Sequence, residues 1–411
     1  MQKMRKMKDS GIEWIGEIPE GWEITRLKYL ADFEPTCDTS YLTDESKITY
    51  TPMECVKNGG FENRSVLYGN LSHTLTPFQN GDIAMAKVTP CFENGNIAIM
   101  DNLFSGFGLG SSELFIFRPK SISTRYFFYW LQNKAFVARA CSTMTGTGGL
   151  KRISPSFIRN CPVHCPSTDE QAKISDYLDA KCSEIDDLLT SVHSSIEEYK
   201  KLKQAVITQA VTKGVRGERE MKDSGVEWIG EIPAEWSICP LKRLAAIQTG
   251  STPSKTSSES FYSSITGTPW IKPDNLGFSS SIETTAEFLT EEGCSVARTF
   301  PSNTVYVGCI GSRIGNCGYS LIPCACNQQI NALIFNARMY WKYGWYLTIF
   351  QEEQYMLLAN GNVIQIINST TQGNISCIVP SISEQREITA YLDAKCAEID
   401  GLIAKKEQLV K

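Results

Sequence analysis

Residues 7–22, MKDSGIEWIGEIPEGW, return 214 residues later as 221–236, MKDSGVEWIGEIPAEW, with 13 of 16 positions identical. A second block, residues 170–186 (EQAKISDYLDAKCSEID), returns as 384–400 (EQREITAYLDAKCAEID), with 12 of 17 identical and the same offset of 214. One common offset for two separate blocks means a tandem duplication, each half being a short block, a long divergent segment and a helical block. Two copies are too few for a solenoid, so the pattern predicts a pseudo-two-fold protein. Near-identical ends around divergent middles suit a constant frame that holds exchangeable surfaces.

The divergent middles keep one order of features. Residues 51–58 (TPMECVKN) fall where 269–276 (PWIKPDNL) fall, and each half continues with a strand-rich stretch, an aromatic helix and a Gly-rich loop. The aromatic helices span roughly 124–140 (TRYFFYWLQNKAFVARA) and 340–358 (YWKYGWYLTIFQEEQYMLL), and their rings recur at helical spacing, as core-facing residues do.

The helical blocks read as a coiled-coil seam. Residues 170–213 contain no Pro or Gly, and Leu178, Ile185, Val192, Tyr199 and Val206 share one heptad position. Ile174, Leu188 and Leu202 share the other, with Lys181 and Ser195 interrupting. In the second copy Leu392 and Ile399 form one column, and Ile388, Leu402 and Leu409 the other, before the sequence stops about 16 residues short of the first copy's extent. The duplication makes an antiparallel pair the natural packing, and a 44-residue helix, about 66 Å long, would serve as a ruler between two heads. Residues 214–220 (GVRGERE) form the linker.

Composition bounds the rest. At 411 residues the chain can bury more than one core. No run of 18 apolar residues occurs, and the start, MQKMRKMKDSG, lacks the apolar stretch of a signal peptide, so the expectation is a cytoplasmic protein. Fifteen cysteines are scattered without paired Cys-x-x-Cys spacing, and free thiols in a reducing compartment are expected. The nearest approaches to a ligand set, Cys161 with His164 and Cys165, and Cys324 with Cys326, do not supply four ligands, so no metal is expected. Net charge is −5, but residues 23–160 carry 14 basic and 12 acidic side chains and residues 237–369 carry 8 of each. The acidity therefore lies outside the two large blocks.

Catalytic signatures are absent. There is no phosphate loop of the form G-x-x-x-x-G-K-[ST]. Gly106, Gly108 and Gly110 mimic a cofactor loop but fit a strand connection, with no acidic residue at ribose spacing. Pro90-Cys91 resembles a methyltransferase nucleophile, yet Glu93 is too near in sequence to face a substrate with the thiol. Asp179 and Lys181, repeated as Asp393 and Lys395, mimic a nuclease D-x-K pair, but their place in a repeated helix points to an interhelical or partner contact. A DNA-modifying enzyme with unrecognised residues and a plain coiled-coil scaffold are the competing functional classes.

The repeated W-IGEIP-x-x-W and EQ-x-x-I-x-x-YLDAK blocks resemble those of specificity subunits of type I restriction-modification systems. Residues 81–90 (GDIAMAKVTP), 110–115 (GSSELF), 307–315 (VGCIGSRIG) and 326–332 (CNQQINA) are similar to motifs of target recognition domains in that family. The resemblance covers essentially the whole chain. It implies an α+β fold: two target recognition domains, mixed α/β heads, separated by two long antiparallel coiled-coil helices in a pseudo-two-fold tandem repeat. The divisions would be 1–22 (conserved block), 23–160 (first recognition domain), 161–213 (spacer helix), 214–236 (linker and repeated block), 237–375 (second recognition domain) and 376–411 (second spacer helix).

It further implies a noncatalytic subunit that binds double-stranded DNA at a split target, one half-site per head. Its partners would be two methyltransferase subunits, which use S-adenosylmethionine, and two restriction subunits, which use ATP and magnesium, while this chain itself binds no cofactor. Because bases are read by bidentate side chains and phosphates are held by Lys and Ser, the candidate contacts are the polar loop residues. In the first head these are Lys87, Thr89, Asn94, Asn96, Lys151 and Arg152, the last two beside the 146–149 loop. In the second they are Lys272, Asn275, Ser312, Arg313, Asn316, Asn327 and Gln328. With heads near neutral, DNA binding by the isolated chain is expected to be weak.

Overall fold

The computed structural model describes all residues except 1–4, 73, 148, 254–259, 278–280, 362–363 and 411. By contacts the chain divides into Met1–Asp187 and Leu188–Lys411. Both units are α+β, and the boundary lies within the helix Thr168–Lys213.

In the first unit the fully buried strand Asp82–Ala86 lies between Ile97–Met100 and Leu114–Pro119, with Ala31–Phe33 beyond, all antiparallel. Ala84 faces both Ala98 and Ile116, so the apolar run DIAMA is a central strand covered on both faces. A second sheet runs in the order Arg64–Leu67, Lys47–Thr51, Phe107–Gly110, Thr76–Gln79, and its middle pair is parallel. Gly108 pairs with Thr49 and Phe78 in this sheet, and a Cβ there would sit 2.2 Å from the Phe78 ring. Gly108 and Gly110 thus serve close packing, whereas Gly106 takes the left-handed conformation at φ 69°. Asp82, 1% exposed, accepts two bonds of 2.8 Å from the Arg118 fork.

The second unit repeats the plan. Cys317–Ser320, Thr304–Gly308, Ile330–Phe335 and Ala245–Thr249 form the antiparallel sheet in the matching order. Thr268–Ile271 runs parallel to Cys324–Cys326, as Lys47–Thr51 does to Phe107–Gly110. The short helical turns Met53–Cys55 and Pro273–Asn275 follow these strands, which places Thr51 opposite Ile271. The expected alignment of 51 with 269 is therefore two residues out. Each head is closed where its ends pair, Glu23–Arg26 with Pro162–Cys165 and Ser237–Pro240 with Ser376–Val379.

The aromatic helices differ from expectation in being broken. Thr124–Leu131 is followed by Lys134–Ser142, because the Asn133 side chain accepts from the Ala135 N–H and starts a new helix. Trp341–Phe350 is followed by Glu352–Leu358, with the Gln351 amide at the break donating to the Ser376 carbonyl at 2.9 Å. Their rings do pack in the cores: Phe127, Trp130 and Phe136 in the first head, Tyr343, Trp345 and Tyr355 in the second.

Within the second unit the distal half of Thr168–Lys213 packs antiparallel to Ile382–Val410. Lys203 reaches the Asp400 carboxylate at 2.7 and 2.8 Å, and Lys406 lies 5.8 Å from the Tyr199 ring, so one number rises as the other falls. Val192, Tyr199, Val206 and Leu402 are half-buried, and Ile388, Leu392 and Ile399 are buried. The other expected column differs. Leu202 is 48% exposed and Leu188 also faces solvent, while Ile196, Lys203 and Ala210 turn inward. The seam is shifted by one residue because a lysine stem can line an apolar groove when its ammonium finds a carboxylate. Ile174 and Leu178 are half-buried and Ile185 is exposed in the first unit.

Candidate nucleic-acid interface

The frame beneath the interface explains the repeated motifs. The Trp22 indole donates to the Glu170 carboxylate at 2.9 Å, and Trp236 does the same to Glu384 at 2.9 Å. Arg5 pairs with Glu170 and covers the Trp22 ring, as Arg219 pairs with Glu384 and covers Trp236. The neighbouring amides cap the aromatic helices: Gln171 accepts from the Ser123 N–H at 2.8 Å and Gln385 from the Tyr340 N–H at 2.6 Å. The Trp and Glu-Gln of the two blocks thus fasten each head to its helix, a role that sequence reading missed although their common spacing of 148 carried it.

Asp179 and Asp393 complete this junction. Tyr129 and Arg125 bond Asp179, and Tyr346 and Lys342 bond Asp393. The expected interhelical contact is thus made with each head's own aromatic helix, Thr124–Leu131 and Trp341–Phe350. Lys181 and Lys395 pair with Glu184 and Glu398 one turn on.

On this frame the bases of the two heads' loops make matching backbone bonds. Lys87 N–H donates to Glu113 O at 3.0 Å, and Cys309 N–H to Gln329 O at 2.9 Å. Ile153 N–H meets Lys87 O at 3.0 Å, and Ile367 N–H meets Cys309 O at 3.0 Å. Thr89 N–H meets Lys151 O, and Gly311 N–H meets Gln365 O. Arg152 exchanges both bonds with Thr145, and Ile366 does so with Asn360. Equivalent positions thus carry Lys87 against Cys309, Thr89 against Gly311, Glu113 against Gln329, Lys151 against Gln365 and Arg152 against Ile366. Backbone geometry is kept while side-chain chemistry is replaced.

The candidates of the first head fall into two groups. Lys87, Thr89, Lys151 and Arg152 share one loop junction. The Thr89 hydroxyl donates to Gly149 O at 2.8 Å and accepts from Lys151 N–H at 2.9 Å, so it secures the loop; Gly148 lies outside the described residues. Arg152 and Lys151 are exposed, and the Arg152 fork holds Glu113 at 2.6 and 2.9 Å, which keeps that carboxyl below its ordinary range. Asn94 and Asn96 instead line an open cleft with Asn58, Gln132 and Lys134. Sequence reading did not single out these last three, because polar side chains on separate elements carry no sequence pattern that joins them.

In the second head Lys272 pairs with Glu287 at 2.9 Å and stacks on Trp270, and Asn275 accepts from the Lys272 N–H. Arg313 makes a 3.3 Å contact with Asp274, which brings these residues beside Ser312 and Asn316. Asn327 is tied to Gln329 at 3.1 Å, and Thr252 donates to the Gln328 side chain. Ser312, Arg313 and Gln328 are exposed.

The cysteines are all free. Burial pushes the Cys161 thiol up to about 12, and Cys324 and Cys326 are fully buried. Pro90-Cys91 opens a tight turn in which Asn94 N–H meets Pro90 O. Among the described residues no group of three His, Cys, Asp or Glu side chains is placed to hold a metal, and no helix is long and apolar enough to cross a membrane.

A family model described as "Type I restriction modification DNA specificity domain" matches twice, over residues 19–198 and 233–411. The chain belongs to this family. The specificity-family repeats coincide with the two heads and their helices. The chain is 36% identical over 163 residues to the type I restriction enzyme EcoEI specificity subunit of Escherichia coli, which covers 38% of this chain and 27% of that protein. It is 34% identical over 196 residues to the EcoAI specificity subunit of the same organism, covering 46% and 33%. The matched stretches thus span about a third or less of those proteins. A solved structure from work on assembly and conformational transition of the type I R-M system shares the fold with a TM-score of 0.74 at 16% identity, covering 95% of this chain and 94% of that one.

Proposed function

We propose that this protein is a noncatalytic, sequence-specific DNA-binding subunit. Each head reads one half of a bipartite double-stranded target, and the subunit recruits methyltransferase and restriction subunits that supply the S-adenosylmethionine and ATP chemistry. The observation that carries this reading is the matched backbone of the two loop systems bearing different side chains. A scaffold whose loop bases keep the same backbone bonds, with Arg152 where the other head has Ile366, suits recognition of two unlike half-sites. The candidate readers are Lys87, Asn94, Asn96, Lys151 and Arg152 in the first head and Lys272, Asn275, Ser312, Arg313, Asn316, Asn327 and Gln328 in the second, with Thr89 as loop support. The domain limits given above are those of exchange units.

Support also comes from charge. Arg152 holds Glu113 and Arg313 holds Asp274 at the surface, and exposed pairs of this kind exchange partners at little cost, so each guanidinium can turn to a guanine edge. Co-expression with cognate methyltransferase subunits and sequencing of methylated sites tests the proposal. Arg152→Ala is expected to relax one half-site about tenfold or more and to leave the other unchanged. Loss of both half-sites together in a folded variant, or methyl transfer by the purified chain alone from labelled S-adenosylmethionine, overturns it.

A further inference from the structure

In both heads the loop beyond the matched backbone bonds is a hairpin that stands clear of the protein. Residues 145–147 and 149–152 of the first head are all exposed, as are 360, 361 and 364–366 of the second. The hairpins share one geometry. Gly146 and Gly361 open them at φ 149° and 151°, and a Cβ would lie 2.2 Å from the Leu150 carbonyl oxygen in one and 2.1 Å from the Ile364 carbonyl oxygen in the other. Leu150 therefore corresponds to Ile364, as Lys151 corresponds to Gln365 and Arg152 to Ile366. The tips differ in length, with three residues between Gly146 and Leu150 and two between Gly361 and Ile364. One property survives those differences. Leu150 is 54% exposed and Ile364 57%, and neither joins the large apolar core of its head.

A lone exposed aliphatic side chain is ordinary on a protein surface. The same kind at the same point of two hairpins, with changed neighbours, marks a task that does not depend on which half-site is read. The surroundings suit a nucleic acid better than an apolar protein face. Lys151 and Arg152 follow Leu150, Gln365 follows Ile364, and the Gln365 carbonyl accepts from Gly311 in the turn Gly311–Arg313 that carries the exposed Arg313. We propose that Leu150 and Ile364 are wedges: each enters the base stack of its own half-site and opens the step beside the base to be methylated. An apolar side chain between two bases holds the step partly unstacked, and a base must leave the stack before a methyltransferase can act on it. Both are positioning residues, which present the substrate base to a partner's site. The inference rests on the reading of the chain as a DNA-specificity subunit.

The test uses the chain assembled with its cognate methyltransferase subunits on a duplex carrying its motif, with 2-aminopurine next to the methylated base of one half-site. Leu150→Ala should lower the single-turnover methylation rate of the first head's half-site by about tenfold and abolish most of the 2-aminopurine fluorescence rise there. The motif and the assembly of the complex should be unchanged. Ile364→Ala should do the same to the other half-site alone, and Leu150→Met, which keeps an apolar side chain, should retain the rate. A mismatch opposite the methylated base, which leaves the stack at less cost, should restore either alanine variant to within about twofold of the wild type, a rescue that a misfolded hairpin would not show. Unchanged rates in both alanine variants, a loss that the mismatch leaves uncorrected, or an altered motif would overturn the wedge. So would weaker assembly with the methyltransferase subunits as the whole effect, which would make the tips protein contacts. A wild-type complex that methylates no defined motif would overturn the specificity reading itself, and the wedge with it.

Discussion

Replacing Glu384 by Ala should unfold the second head far more readily than Glu170→Ala unfolds the first, although the two residues are repeats. Glu384 is 2% exposed, accepts from the Trp236 indole at 2.9 Å and pairs with Arg219 at 2.6 Å, and Arg219 is itself only 14% exposed. Its removal leaves the buried Trp236 indole N–H without an acceptor and takes one of two carboxylates from Arg219, which keeps Glu235 at 2.8 Å and the Lys213 carbonyl at 2.9 Å, a change that costs about 2–3 kcal/mol. At about 2–4 °C per kcal/mol for a unit of this size, the second unit should melt some 4–12 °C lower. Glu170 is 21% exposed and its Arg5 partner 55%, so water takes over the cation and the cost falls to the Trp22 hydrogen bond, about 1 kcal/mol. Differential scanning calorimetry of the two variants measures this. Equal shifts for both would refute the argument that burial, and not the shared motif, sets the strength of the joint. Glu384→Gln should recover part of the loss by keeping an acceptor for Trp236.

Other outcomes follow from single contacts. Gly108→Ala puts a Cβ 2.2 Å from the buried Phe78 ring and should destabilise the first head by about 1–3 kcal/mol, read from urea midpoints; an unchanged midpoint would mean the sheet yields freely. His164 has its pKa lowered by burial between Trp22 and Trp130, so the unfolded chain takes up this proton first. Stability of the first head should fall as pH drops below about 6.5, by at most about 1.4 kcal/mol per unit; His164→Phe should flatten that slope, and identical slopes would dismiss the idea. Arg313→Ala should relax only the half-site read by the second head, checked by mapping methylated sites. The isolated chain should bind its target weakly at physiological salt, and nanomolar site-specific binding in a gel assay would contradict that.

The sequence by itself determined the duplication, because blocks that share 13 of 16 and 12 of 17 residues at one offset must fold alike. It also marked the long helix, where 44 residues without Pro or Gly leave no stop signal. What each conserved residue does was settled only in three dimensions, since Trp22 and Glu170 meet across 148 residues. The seam frame needed the fold as well. Leu202 reads as the inward residue, yet Lys203 lies inward because Asp400 awaits it on the other helix.

The loop correspondence was hidden for a different reason. Position 87 matches 309 and 113 matches 329, while 152 matches 366, so insertions and deletions drift from the 214 offset and then cancel. Side chains there have diverged, and only the backbone hydrogen bonds, which every residue type except proline can both donate and accept, preserve the register. Tertiary structure alone also showed that Cys396 and Ile399 are buried while their repeats Cys182 and Ile185 are exposed, because burial depends on what packs against a residue and a repeated sequence does not carry that information.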